Sequence, residues 1–131
     1  MNKIKYISVV AIAMLLSTGC YKVATYVPPD TGTAVTKTVS FENDIQPVLT
    51  ANCALSGCHA AGGHVPNLSK GNAYTSLTSG GFIDKSNPAS SIVYKRLTGA
   101  LTPAMPLGAN SNPSNINGLM LAWITQGSKN N

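Results

Sequence analysis

Two cysteines and a histidine stand close together in the segment Cys53-Ala-Leu-Ser-Gly-Cys58-His59. Two cysteine thiols can form thioether bonds to the two vinyl groups of a haem, and a histidine directly after the second cysteine can then ligate the iron. The usual attachment signal has two residues between the cysteines, whereas this segment has four. Since cysteines at this spacing do not share a helical face, the segment is expected to bulge, and Gly57 suits such a bulge.

Two other uses of this segment stay open from the sequence. The cysteines could form a small disulfide, which an oxidising compartment favours, but a disulfide has no use for the adjacent His59. The same three residues together with His64 could bind zinc, although a histidine directly beside a cysteine strains tetrahedral coordination. Haem attachment makes use of both cysteines and of the histidine, and it is the interpretation that the sequence favours.

Residues 1–19 have the pattern of a bacterial lipoprotein signal peptide. Lys3 and Lys5 form a positive start, an apolar run from Ile7 to Leu16 follows, and small residues then precede Cys20. In such signals the cysteine is acylated and becomes the first residue of the mature protein. The apolar run is too short for a comfortable membrane span, so this segment is left out of the predicted fold.

The number of cysteines agrees with both motifs. The chain has three cysteines, and lipid on Cys20 with haem on Cys53 and Cys58 leaves no free thiol. Tyr21 stands where some bacteria place an acidic residue that retains lipoproteins at the inner membrane. The predicted location is therefore the cell envelope, lipid-anchored, at the outer membrane facing the periplasm.

Loss of the signal leaves 112 residues, which is the size of one domain, and lowers the formal charge from +5 to +3 because two lysines leave with it. No basic cluster beyond Lys95-Arg96 remains, so no nucleic-acid partner is expected. Residues 20–39 are rich in Thr, Val, Gly and Pro without a helical period, and they are predicted to form a flexible tether. Residues 40–131 are predicted to form the folded domain, whose long loops suggest wrapping around a cofactor.

Capping residues and prolines mark the helix starts. Asn43 or Asp44 is predicted to cap a first helix that has Pro47 in its first turn, and Asn87 followed by Pro88 is predicted to start a later one. The inward-facing residues predicted for the later helix are Ile92, Val93 and Leu97. Asn112 is predicted to cap the last helix, which Gly127 ends. Its apolar face, at helical spacing, consists of Ile116, Leu119, Met120, Trp123 and Ile124.

The order of these features resembles a class I c-type cytochrome, in the single-haem lipoprotein form. The resemblance covers about residues 40–128 and depends on the Cys-Cys-His segment, a Met-Pro loop, and two helical sequences at the ends of the domain. The first is Phe-x-x-Asp-Ile-x-Pro at residues 41–47, and the second is Ala-Trp-Ile-Thr-Gln-Gly at residues 122–127. The family implies an all-α, cytochrome c-like helical domain wrapped around one covalent haem c, with the first and last helices crossing.

Two further residues are candidates for the haem site. Met105, between two prolines, is the predicted distal iron ligand, opposite His59 as the proximal one, because a thioether is a soft donor that raises the reduction potential. Met120 competes less well because it belongs to an apolar helix face. Arg96 is a candidate partner for a haem propionate, since its planar guanidinium matches a carboxylate. A solvated helix face accounts for Arg96 equally well.

The predicted function is single-electron transfer by a membrane-anchored carrier, and not enzymatic catalysis, because two protein ligands leave no iron position for a substrate. Its partners would be other redox proteins, met through an exposed haem edge, and the membrane, reached through lipid on Cys20. The alternatives are a haem enzyme or gas sensor with an open iron position, and a haem-free structural lipoprotein with a Cys53–Cys58 disulfide.

Overall fold

A computed structural model describes residues 29–109 and 111–131. Within these residues the chain is helical and contains no strand, which agrees with the all-α prediction. The α-helices are α1 (Gln46–Asn52), α2 (Ala73–Ser79), α3 (Ile92–Thr98) and α4 (Ile116–Thr125). None of the helices in this part of the chain is long and apolar enough to span a membrane. The predicted signal peptide, Cys20 and the first part of the tether lie outside the described residues.

The first helical segment is capped by Ser40, three residues before Asn43 and four before Asp44, the two predicted caps. A π-helical turn, Phe41–Ile45, runs directly into α1, and the hydroxyl of Ser40 accepts a hydrogen bond from the backbone N–H of Asn43 at 3.1 Å. The Asp44 carboxylate accepts from the Ser40 N–H at 2.9 Å, so two side chains satisfy backbone N–H groups at the start of this segment. A hydrogen bond from Lys37 and the one from Ser40 hold the pKa of Asp44 below its usual value.

The starts of α3 and α4 also differ in part from the prediction. Pro88 opens a 3-10 turn, Pro88–Ser90, and α3 begins only at Ile92. Asn87 does not cap this turn with its side chain, and its backbone N–H donates to the Asp84 carboxylate at 2.9 Å.

The predicted cap of α4 is used in a modified form. A 3-10 turn, Pro113–Asn115, again separates proline from helix, and the Asn112 side-chain oxygen accepts from the Asn117 N–H at 3.0 Å. The helix ends at Thr125, and Gly127 follows with a φ of +96°, which confirms the predicted end of the helix.

The core forms where the apolar face of α4 meets the first helical segment. Trp123 is 1% exposed, and its ring lies 5.0 Å from that of Phe41 and 6.2 Å from that of Tyr74, measured between centroids. Met120 is fully buried in the same cluster, so its predicted place in the core is confirmed. Contact between Phe41 and Trp123 joins the two ends of the domain.

Residues 30–39, here called the strap, lie extended against α4, although the sequence analysis placed them in the flexible tether. The Thr33 N–H donates to the Asn115 side-chain oxygen at 2.7 Å, and the Asn115 amide donates back to the Thr33 carbonyl at 2.8 Å. Val39, 2% exposed, donates its N–H to the side chain of Gln126 at 2.8 Å. Side-chain amides thus give the strap the pairing that a neighbouring strand would give, and the ordered domain begins before residue 40.

Replacing Gly118 by Ala is expected to lower the free energy of unfolding by about 1–3 kcal/mol, although alanine is the better helix former. A Cβ atom at this position would overlap the carbonyl oxygen of Thr33 and lie 2.7 Å from the Asn115 amide nitrogen, which would displace the strap. Urea denaturation measures the change. The control is Thr125→Ala at the exposed end of the same helix, which is expected to cause no destabilisation. A Gly118→Ala variant as stable as the unaltered chain would contradict the expectation.

Candidate cofactor site

One cavity lies between the Cys53–His59 segment, helix α3 and the loop that carries Met105. Its volume is about 440 Å³, within the range of roughly 300–1,000 Å³ that is usual for small-molecule and cofactor pockets. Most of its lining is apolar. The apolar lining residues are Leu49, Leu55, Val65, Pro66, Leu68, Phe82, Ile92, Val93, Leu97, Pro103, Pro106, Leu107 and Ala109.

The residues that the sequence predicted for the haem site meet at this cavity. Cys53, Cys58, His59, Arg96 and Met105 all line it. They come from three separate parts of the chain: the end of α1 with the loop after it, helix α3, and the loop after α3. Their convergence is a property of the tertiary structure, because helix spacing or loop length does not bring such distant segments together.

The imidazole of His59 is oriented by two backbone carbonyls. Its Nδ1 lies 3.0 Å from the carbonyl oxygen of Pro66 and 3.2 Å from that of His64. Carbonyl oxygens only accept hydrogen bonds, so Nδ1 carries the proton, and in the neutral ring Nε2 has a free lone pair. Metal-binding histidines have this arrangement, in which the second ring nitrogen donates to a carbonyl or a carboxylate.

The Cys53–His59 segment is a compact bulge. The Cys53 carbonyl accepts from the His59 N–H at 3.1 Å, and the Cys58 carbonyl accepts from the His64 N–H at 2.7 Å. Gly57 has a φ of +77°, in the left-handed region that favours glycine, which agrees with the bulge predicted from the wide cysteine spacing. Backbone hydrogen bonds therefore accommodate the two additional residues without a helix.

The two cysteines have different surroundings. Cys53 is 7% exposed, and burial, with a smaller effect of nearby Cys58, raises the pKa of its thiol to about 11. Cys58 is exposed, and neither cysteine forms a disulfide. Within residues 29–109 and 111–131, no three His, Cys, Asp or Glu side chains form a group that could hold a metal ion.

Exposed apolar side chains surround the cavity. In the described part of the chain, the large apolar residues with high exposure are Leu55 (48%), Val65 (80%), Ile92 (42%) and Leu107 (73%), and all four line the cavity. Ile92 was predicted to face the core and instead stands at this rim. Apolar side chains clustered around one opening indicate a site for an apolar ligand or partner. Their exposure to water is unfavourable, and a bound ligand or partner would remove that apolar surface from water.

Met105 is held in place by helix α3. Its N–H donates to the Arg96 carbonyl at 2.8 Å, and the Arg96 guanidinium donates through Nη1 to the Pro103 carbonyl at 3.1 Å. Met105 is half-buried, whereas Met120 is fully buried in the core and does not line the cavity. His64, named above as a possible zinc ligand, also lines the cavity, and its side chain is exposed.

The residues around the cavity fit the requirements of haem c. Two thiols, an imidazole with a free nitrogen and a thioether line a mostly apolar cavity of about 440 Å³. The rim residues Leu55, Val65 and Leu107 were not predicted from the sequence. Each of the three is a large apolar residue in a loop rich in Gly, Pro or Ser, where a polar residue is usual, and this departure could have identified them.

No family model matches this chain, and neither a curated protein nor a solved structure matches it.

Proposed function

We propose that this protein is a membrane-anchored c-type cytochrome that transfers single electrons through a His/Met-ligated haem. The observation that supports the proposal most is the convergence of Cys53, Cys58, His59 and Met105 on one apolar cavity. A structural lipoprotein has no need of such a convergence, and it has no need of exposed apolar side chains at the rim.

Each of these residues has a distinct role in the proposal. Haem c bound in the cavity supplies one-electron iron chemistry. Cys53 and Cys58 would hold it by thioether bonds, and His59 would ligate the iron through Nε2, with its Nδ1–H donating to the Pro66 carbonyl. Met105 supplies a soft thioether that stabilises the reduced state and raises the potential. The apolar walls exclude water, so little solvent reorganises when the charge changes.

The position of the protein in the cell is part of the same proposal. Lipid on Cys20 holds the domain at an envelope membrane, with the outer membrane facing the periplasm as the proposed location. The partners are other redox proteins, which approach the exposed rim through a small interface and leave again quickly. No nucleic-acid partner is proposed, because the mature chain has no basic cluster beyond Lys95-Arg96.

An optical spectrum of the protein, produced in a host that matures c-type cytochromes, tests the proposal. We expect covalently bound haem with a six-coordinate, low-spin spectrum and a charge-transfer band between methionine and Fe(III). Met105→Ala is expected to remove that band, to raise the high-spin fraction and to allow carbon monoxide to bind the reduced form. Met120 lies in the core and not at the cavity, so Met120→Leu serves as the control and is expected to keep the band.

Other spectra would contradict the proposal. Covalent haem that is high-spin in the unaltered protein and binds carbon monoxide at once would indicate the enzyme or gas sensor with an open iron position. No covalent haem, together with a Cys53–Cys58 disulfide detected by mass spectrometry, would indicate the structural lipoprotein.

A further inference from the structure

Arg96 contacts the loop of Met105 with both its backbone and its side chain. The backbone carbonyl of Arg96 accepts from the Met105 N–H at 2.8 Å, and the guanidinium Nη1 donates to the Pro103 carbonyl at 3.1 Å. The two bonds reach the loop on the methionine itself and two residues before it. Two of the contacts that hold Met105 at the cavity are therefore made by this one residue of α3.

The end of α3 explains why the loop attaches here. The last carbonyls of a helix have no partner within the helix and must find one elsewhere. Helix α3 ends at Thr98, and Gly99, with a φ of +80°, turns the chain back over the last turn. The Lys95 carbonyl then accepts from the Leu101 N–H at 2.9 Å, beside the bond from Met105 to Arg96.

The two contacts of Arg96 differ in what a substitution removes. Any residue at position 96 keeps the backbone carbonyl, so the bond to the Met105 N–H survives a substitution. The bond to the Pro103 carbonyl comes from the side chain, because it needs a long side chain with a donor at its tip, and the planar guanidinium makes it in the unaltered protein. A change at Arg96 therefore loosens the loop and leaves its main attachment in place.

We infer that Arg96 is a positioning residue for Met105, which holds the 99–105 loop so that the thioether stays at the cavity. The inference rests on the proposed function, and it assigns Arg96 a role beyond the propionate partner predicted from the sequence. A guanidinium has five N–H donors, so the bond to Pro103 leaves others for a second partner, and the two roles are separated by measurement.

The test compares Arg96→Gln, Arg96→Lys and Lys95→Gln in the full chain carrying haem. Lys95→Gln is the matched control, because it removes the same charge from the neighbouring position and the Lys95 side chain makes no hydrogen bond to the loop. Imidazole is the probe, since it binds ferric iron when methionine leaves. Arg96→Gln is expected to raise imidazole affinity about tenfold, which corresponds to losing one hydrogen bond to a charged group.

Two further readouts separate positioning from propionate pairing. Positioning predicts a weaker methionine charge-transfer band and faster amide exchange at residues 99–105 in Arg96→Gln, while Lys95→Gln matches the unaltered protein. Arg96→Lys, which keeps the charge without the planar fork, is expected to fall between them. Circular dichroism confirms that each variant is folded.

A different pattern would overturn the inference. If Arg96→Gln changed only the pH dependence of the reduction potential and left imidazole affinity and the band unaltered, Arg96 would be a propionate partner and the proposed function would stand. If the unaltered chain carried no covalent haem, the inference and the proposed function would both fall.

Discussion

Replacing His59 by Ala is expected to abolish the accumulation of a coloured, covalent haem protein. The imidazole is held by the carbonyls of Pro66 and His64, and its Nε2 has the free lone pair that an iron ligand needs. Alanine removes that ligand from the cavity. Absorbance of the purified protein and haem staining after denaturing electrophoresis measure the loss.

The chain itself offers a matched control for this substitution. It contains two histidines, and the second, His64, has an exposed side chain. The His64 N–H donates to the Cys58 carbonyl, and the His64 carbonyl accepts from Nδ1 of His59. His64→Ala keeps those backbone contacts, so it is expected to retain covalent haem and a low-spin spectrum. Loss of haem in His64→Ala with retention in His59→Ala would reverse the assignment of the proximal ligand. Haem retained in both variants would contradict the attachment motif.

Replacing Trp123 by Ala is expected to lower the free energy of unfolding by about 3–5 kcal/mol, the usual cost of removing a large aromatic side chain from a core. The side chain is 1% exposed, it packs on Phe41 and Tyr74, and its Nε1–H donates to the Lys129 carbonyl at 2.8 Å. Such a loss is a large share of the stability of a domain of this size. Urea denaturation at a constant m-value measures it.

Trp123→Phe separates packing from hydrogen bonding. Phenylalanine fills much of the same space but cannot donate to the Lys129 carbonyl, so a smaller loss of about 1–2 kcal/mol is expected. Trp123 does not line the cofactor cavity, and the spectrum of folded protein is therefore expected to stay unaltered in both variants. A stability loss below about 1 kcal/mol for Trp123→Ala would contradict the place of this residue at the centre of the core.

Local sequence patterns predicted the elements of this fold better than their exact starts. The apolar face of α4 was read from residues three and four positions apart, and Met120 and Trp123 are buried as that pattern indicates. The caps were less predictable, because Ser40, Asn43 and Asp44 are all good capping residues within five positions of one another. The structure uses Ser40, whose hydroxyl accepts from the Asn43 N–H.

The sequence predicted which residues could bind a cofactor, but it did not predict which residues surround the cavity. The motif identified Cys53, Cys58 and His59 because their types and order carry chemical meaning in a short segment. The rim residue Leu107 has no such local meaning, since an isolated apolar residue in a loop looks like any exposed one. Its place beside the cavity comes from the turn at Gly99 that brings the loop back to α3.

The sequence by itself determined the helical content, the apolar face of α4 and the residues that could bind a cofactor. These properties depend on residue type and on neighbours within one or two helical turns, so they can be predicted from the sequence. The tertiary structure alone decided that the strap is part of the domain, that Ile92 faces the cavity instead of the core, and that Arg96 holds the Met105 loop. Each of these three features depends on hydrogen bonds or packing with a segment that is distant in the sequence or that a turn brings back. Such contacts form only when the chain folds.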